Sequence, residues 1–324
     1  MIIYSIHLKS FYHIKKLDMT KLIIVGSGIS GLLTALMYSG DSIILEKEKE
    51  VGKNSKASLW SILPPLCGAH KEECEQAIKL YEEICEKYGI YCKKTHILRV
   101  ANNRLGGKII DKKEIKSFEL QLNLEEAELF DNGFFVEGEE LINSISTDLN
   151  IETMSQVINI RVENNEVKYL ETNKGIVKGD FYILATGYLT SNLLSKIGLN
   201  LTITPYKGHL IIMRKVGLNG ILIVNDRIAV EGKNLYLNGD SSPTSSSEVE
   251  YNEISKTINE IGKVLKVDTT NFEVRVGFRS VSSDGEPIIR KIYSNMIVVT
   301  GYKFGFALAP IFAKRVIEMI KSEH

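Results

Sequence analysis

Lys21-Leu-Ile-Ile-Val-Gly26-Ser-Gly28-Ile-Ser-Gly31 is a short apolar, β-branched run that breaks into three spaced glycines and then into a helical pattern. A strand–turn–helix corner of this kind suits a dinucleotide. Gly26 allows the tight turn out of the strand, Gly28 lets backbone come close to a pyrophosphate, and Gly31 lets the helix pack against the strand. The phosphates would meet the free N–H groups of the helix that opens near Ile29 and Ser30, where the helix dipole favours negative charge.

By itself the glycine pattern fits any strand-to-helix corner, and a bare turn is the competing reading. The residues that follow decide between the two. Leu32 to Tyr38 continue as a helix, Gly40-Asp41 turn, Ser42-Ile-Ile-Leu45 read as a second buried strand, and Glu46 closes it with Lys47 beside it. An acidic residue about 20 positions beyond the first glycine is where a carboxylate meets the adenosine ribose, so a free 2′-hydroxyl is expected, as in FAD or NAD.

Composition bounds the rest. The 324-residue chain is 44% hydrophobic, enough for one large core or two smaller ones. Lys plus Arg number 40 and Asp plus Glu number 40, so no global field draws the chain to nucleic acid or an anionic membrane. No apolar run approaches the ~20 residues that span a bilayer. Met1 to Lys9, interrupted by His7 and Lys9, does not read as a signal peptide. A cytoplasmic protein is expected, with residues 1–18 an extension ahead of the fold and Met19 an alternative start. Cys67, Cys74, Cys85 and Cys92 lack C-x-x-C spacing and read as thiols in a reducing compartment. Abundant Lys and Glu with scarce Gln is a thermophile-like balance, and it keeps a disulfide among them open as the alternative.

Further along, Val51 to Pro65 is a loop of small residues, Ser55 and Ser58 among them, that turns apolar. In a dinucleotide fold it lies over the pyrophosphate or the ring; otherwise it is an ordinary connection. Lys71 to Tyr88 puts Cys74, Ala77, Ile78, Tyr81, Ile84, Cys85 and Tyr88 on one helical face. Strand-like runs such as His96–Val100 and Lys108–Asp111 read as part of an inserted unit, followed by a helix over Glu139–Leu149 and a meander over Ser155–Ile160, Glu166–Leu170 and Gly175–Val177. Asp180 to Gly187 is a buried strand ending in small residues, which suit backbone passing close to a cofactor. A second excursion carries strands at Leu201–Lys215, Arg227–Val230 and Leu235–Asn238 and a helix at about Val249–Val264. The chain closes with Glu273–Arg279, Asp284–Ile289, a strand Asn295–Thr300, and Gly301–Gly305 opening a helix Phe306–Ile320, in which Pro310 forfeits at most one early bond.

Taken in order, these motifs resemble the FAD-dependent D-amino acid oxidase superfamily, which includes glycine oxidase, sarcosine oxidase, D-amino acid dehydrogenase and 2-hydroxyglutarate oxidase. The resemblance runs from about Lys21 to the C-terminus. It rests on Gly26-x-Gly28-x-x-Gly31 with Glu46, the Ser55-x-x-Ser58 loop, Ala185-Thr186-Gly187, Thr204-Pro205-Tyr206-Lys207-Gly208-His209-Leu210, and Gly277-Phe278-Arg279 through Asp284-Gly-Glu-Pro287 to Gly301–Pro310. An α/β fold is implied: a Rossmann-like FAD-binding domain from 19–90, 137–200 and 271–324, with an inserted antiparallel-sheet substrate domain from 91–136 and 201–270. FAD is the implied cofactor. Ser55 and Ser58 would line its pyrophosphate, Val157 would meet the adenine through backbone, and Thr186 and Gly187 would pass near the adenosine half. Gly301, Lys303, Phe304, Gly305, Phe306 and Ala307 would take the flavin end, where helix amides face the N1–C2=O edge. Arg279 matches the arginine that binds the substrate carboxylate, a partner suited to its planar fork. No metal is implied.

The substrate end departs from the family pattern. Ser280 stands where proline commonly follows the arginine, Ile228 aligns with a substrate-facing tyrosine, and Gly301–Gly305 is shorter than usual, with Lys303 and Phe304 where small residues or histidine are common. The implied reaction is oxidation of a small carboxylate substrate, an amino acid first, by hydride transfer to flavin N5, with oxygen, a quinone or another carrier as electron acceptor. The alternatives are a 2-hydroxy acid substrate, a flavin subunit of a larger complex docked through residues 1–18, and an NAD-binding reductase. Arg279 would otherwise be a structural ion pair, with Lys303 and Arg227 the next candidates for the carboxylate.

Overall fold

The computed structural model describes residues 21–239 and 242–322; the expected extension, residues 1–18, lies outside them. Its first layer is a six-stranded sheet in the order Ile288–Tyr293, Met296–Thr300, Phe181–Leu184, Leu22–Val25, Ser42–Leu45, Ile151–Glu152. Every neighbouring pair is parallel except the antiparallel pair of Ile288–Tyr293 with Met296–Thr300. Leu22 and Ile24 pack with the helices Ile29–Met37 and Gly305–Lys321 on one face, while Ile23 and Val25 pack with the meander strands Val157–Glu163 and Glu166–Thr172 on the other. Phe181 and Ile183 alternate with Tyr182 and Leu184 in the same way, as do Ile297 and Val299 with Met296 and Val298. Burial on both faces is why these strands read as unbroken apolar runs.

The second layer is a ten-stranded sheet. Its path runs Ser242–Pro243, Ile203–Met213, Leu235–Asn238, Arg227–Glu231, Ile221–Val224, Cys92–Val100, Glu126–Val136, Ser61–Ile62, with Glu273–Ser282 paired along Ile203–Met213 and Lys108–Asp111 along Glu126–Val136. Both excursions of the chain therefore contribute to a single sheet. They are joined by Ile221–Val224, a strand the sequence reading did not foresee, which pairs parallel with Ile97–Val100 and antiparallel with Arg227–Val230. Buried carboxylates tie loops to this sheet. Glu128 pairs with Arg99 and accepts the amides of Leu105 and Gly107, Glu119 accepts those of Asn219 and Gly220, and Glu231 those of Val216 and Gly217.

The helix Lys71–Tyr88 spans the expected residues and buries Cys74, Ala77, Ile78, Tyr81, Ile84 and Cys85. One expectation about it is corrected. Cys67 and Cys74 form a disulfide, because a turn ahead of the helix brings Cys67 back over its first turn; Cys85 and Cys92 are free thiols. Opening so short a cross-linked loop costs roughly 2–3 kcal/mol by chain entropy. Cys74→Ser is therefore expected to lower Tm by roughly 5 °C in a thermal melt, and a reductant should have no further effect on that variant.

Pro310 lies near the start of the closing helix, as the pattern put it. It sits just past the first turn of the helix Gly305–Lys321, so the one bond it forfeits is the one to the Phe306 carbonyl. The buried Tyr81 hydroxyl donates to that carbonyl at 2.6 Å, and its ring stacks on Phe306 with centroids 5.2 Å apart. Tyr81→Phe keeps the stack and strands the carbonyl, which is expected to lower stability by about 1–3 kcal/mol in urea unfolding. An unchanged midpoint would mean that another donor replaces the hydroxyl.

Candidate active site

Leu22–Val25, Ser42–Leu45, Phe181–Leu184 and Met296–Thr300 all end at one cleft of about 1460 Å³. The chain leaves Leu22–Val25 for Ser42–Leu45 on one side and returns to Phe181–Leu184 on the other, a reversal of strand order that opens a crevice for ligands at the carboxyl ends. Of the candidate residues from the sequence, all but Gly31 and the fallback candidate Arg227 line this cleft. Gly31 serves the helix–strand approach: a Cβ there would lie 2.0 Å from the Gly26 carbonyl oxygen.

At the phosphate end, Gly26 has φ +102°, and a Cβ on it would lie 2.6 Å from the Ala185 carbonyl oxygen. A Cβ on Gly28 would meet only Ser55 Oγ, at 3.5 Å, which leaves an open cradle of the kind a pyrophosphate fills. Above it, the first bond inside the helix runs from Leu32 N to Gly28 O. The Ile29 amide donates to Ser55 Oγ at 2.9 Å, and those of Ser30 and Gly31 have no partner within the helix. Ser58 lies on the same wall. Glu46 is held rigidly, Oε2 accepting from Ser27 N at 2.9 Å and Ser27 Oγ at 2.5 Å, and Oε1 from Glu48 N at 2.9 Å. The neighbouring Lys47 ammonium pairs with Glu48, which raises its pKa against the pull of burial. Val157 opens its strand at the cleft, Thr186 Oγ1 lies 2.9 Å from Thr190 Oγ1, and Gly187 accepts from Thr300 Oγ1 at 2.9 Å. Thr300 thereby fastens the turn at Gly187 to the strand that leads into the opposite end.

There Gly301, at φ +87°, turns the chain into Tyr302-Lys303-Phe304 and the helix from Gly305. The first helical bond runs from Leu308 N to Phe304 O, leaving the amides of Gly305, Phe306 and Ala307 without partners in the helix and aligned with its dipole. Lys303 is exposed, with its ammonium 4.9 Å from the centroid of the Phe304 ring. Tyr302 donates to the Cys67 carbonyl at 3.4 Å, so the disulfide turn supports this loop from behind.

On the substrate side, Arg279 sits opposite Tyr206 on the strand pair and reaches over Gly208, where a Cβ would come to 3.6 Å from its Nη1. Its Nη2 donates to Asn238 Oδ1 at 2.5 Å. The strand that carries it is fastened to the loop that holds Ser55 and Ser58 by Asn54, which accepts from Phe278 N at 2.7 Å and donates to Phe278 O at 2.9 Å. Ile228 lines the wall as well, whereas Arg227 is buried beside it and is not among the lining residues. Asn54, Asn238 and Trp60, none of them singled out in the sequence, also line the cleft. Trp60 adopts φ +58°, a strained conformation for a bulky residue, and is held by its indole N–H on Ser55 O at 2.8 Å and an edge contact with Tyr236. Its ring fills the space a Cβ on Gly138 would need.

A mostly parallel sheet with an open glycine cradle at its carboxyl end, set against a second sheet across one cleft, is the arrangement of a dinucleotide-binding protein. The DAO family, FAD dependent oxidoreductase, matches residues 21–319, and the chain belongs to it. Its cofactor is FAD. Over 163 residues the sequence is 24% identical to D-amino acid dehydrogenase of Vibrio vulnificus (strain CMCP6), a match spanning 46% of this chain and 38% of that protein. Glycine oxidase from Bacillus cereus ATCC 14579 superposes with a TM-score of 0.83 at 20% identity, covering 94% of this chain and 98% of that one. L-Proline dehydrogenase from P. horikoshii gives 0.82 at 19% identity, covering 94% of each. At these identities the two structures speak for the fold.

Proposed function

We propose that the protein oxidises a small amino acid, or a related amine carboxylate, at its α-carbon. The observation that carries this reading is Arg279, a guanidinium on the wall of the same cleft that holds the phosphate cradle and the amides of Gly305 to Ala307. FAD, when bound, would supply the two-electron acceptor for a hydride from the α-carbon. Arg279 receives the substrate carboxylate through paired hydrogen bonds, and Ile228 and Phe304 give the substrate apolar walls. The helix-start amides stabilise negative charge at the far end of the cleft. A substrate that arrives with a neutral amine needs no protein base, so the chain contributes alignment and electrostatics. That agrees with Glu119, Glu128 and Glu231 being committed to backbone amides. In this reading the six-stranded sheet and its helices form the cofactor domain, and residues 91–136 and 201–270 build most of the substrate domain.

The test is a panel of amino acids and 2-hydroxy acids added anaerobically to the purified holoenzyme, followed by admission of air. Bleaching of the flavin by an amino acid is expected. Bleaching by 2-hydroxy acids alone would move the substrate class, and no bleaching by the single chain would favour a subunit of a larger dehydrogenase. Rapid recolouring in air marks an oxidase.

A further inference from the structure

Asn238 ends the strand Leu235–Asn238, buried at 6% exposure, with its Cα opposite Leu210 on one neighbour and Ile228 on the other. Its Nδ2 donates to the His209 carbonyl at 3.1 Å and its Oδ1 accepts from Arg279 Nη2 at 2.5 Å. A backbone carbonyl can only accept and a guanidinium can only donate, so both ends of the carboxamide are assigned by their partners. The anchor is itself fixed. His209 lies in the long strand Ile203–Met213, and its Nε2 accepts the Glu250 amide at 3.1 Å.

We propose that Asn238 is a positioning residue for Arg279, setting the orientation of the guanidinium and with it the place where a carboxylate docks; this rests on the reading of Arg279 as the carboxylate site. Holding one nitrogen of the fork restricts its rotation about the long side chain, and bidentate pairing depends on that rotation. A neutral amide does this while bringing no negative charge of its own. Aspartate in its place has the same shape and the opposite consequence. One oxygen would face the His209 carbonyl with nothing to donate, and the other would pair with Arg279 as an ion and compete with substrate.

The probe is propionate, titrated into the FAD-loaded enzyme by calorimetry and by perturbation of the flavin spectrum. Asn238→Ala is expected to weaken propionate about 10-fold and to raise KM by a similar factor with kcat little changed, since the lost contact is one hydrogen bond to a charged group. Asn238→Asp is expected to weaken propionate by about 100-fold at neutral pH, well beyond the loss in Asn238→Ala, because the introduced carboxylate pairs with Arg279 and competes with the ligand. FAD content should match wild type in both. Loss of propionate binding in Arg279→Ala with no change in either Asn238 variant overturns the positioning role and leaves the carboxylate site standing. Propionate binding that survives Arg279→Ala overturns both. An Asn238→Asp affinity no weaker than that of Asn238→Ala also overturns the proposal, because a merely structural defect has no reason to depend on the introduced charge.

Discussion

Gly28→Val is expected to give folded protein that binds no FAD. Gly28 has φ −65° and ψ 170°, an extended conformation that valine adopts readily, and the only atom a Cβ would meet is Ser55 Oγ at 3.5 Å. Nothing in the chain therefore opposes the side chain; it would occupy the opening above the helix amides, where a pyrophosphate comes close. Each charge-assisted hydrogen bond lost there is worth about 1.5–3 kcal/mol, so FAD affinity should fall by roughly 10²-fold or more. The neighbouring glycines give the contrast. Gly26→Val forces a β-branched residue to φ +102° against the Ala185 carbonyl, and Gly31→Val drives a side chain into the Gly26 carbonyl, so both should lose the fold as well as the cofactor. The measurements are the flavin-to-protein absorbance ratio, circular dichroism, and Tm compared with wild-type apoprotein, because bound cofactor itself raises Tm. A Gly28→Val protein that purifies with a full complement of FAD would place the pyrophosphate elsewhere.

How much of this was legible in the sequence follows from how local each cause is. The central strands declared themselves because both faces are buried, and the helix Lys71–Tyr88 because one face is. Ile221–Val224 escaped notice although Gly220 and Asn225 bracket four apolar residues. A run so short gains its meaning only from Ile97–Val100, which no local pattern connects to it. The disulfide shows the same limit: spacing permits Cys67 and Cys74 to meet, but the turn that makes them meet is a product of packing. Asn54 and Asn238 read as loop and strand-end polar residues, and their partners Phe278 and Arg279 are remote in the chain. Trp60 was the least legible of all. Its left-handed backbone would be expected of glycine, and what stabilises it is a hydrogen bond to Ser55 and a ring on another sheet strand. The cofactor end could be read because glycines carry their backbone reason with them, while the substrate end is assembled from long-range contacts.

Arg279→Ala is expected to lower kcat/KM by roughly 10²-fold or more, since removing one partner of a desolvated, hydrogen-bonded charge pair typically costs about 2–5 kcal/mol. Arg279→Lys should recover only part of this: the ammonium keeps the charge, but it loses the fork and reaches Asn238 differently. Flavin content and Tm should stay close to wild type, because Asn238 retains its bond to the His209 carbonyl and the strand keeps its Asn54 clasp on Phe278 when the guanidinium is gone. The competing account, a structural ion pair at a strand end, predicts the reverse pattern. Arg279→Ala would then unfold the protein or strip its flavin, while any surviving enzyme kept a normal KM. In that event Lys303 becomes the candidate for the carboxylate, since it lines the cleft, whereas Arg227 is buried and not among the residues that line it. Lys303→Ala separates the cases. With Arg279 in the assigned role, Lys303→Ala leaves KM within a few-fold of wild type, because an exposed ammonium over the Phe304 ring is a point charge in solvent and contributes about 1 kcal/mol at most to binding a carboxylate.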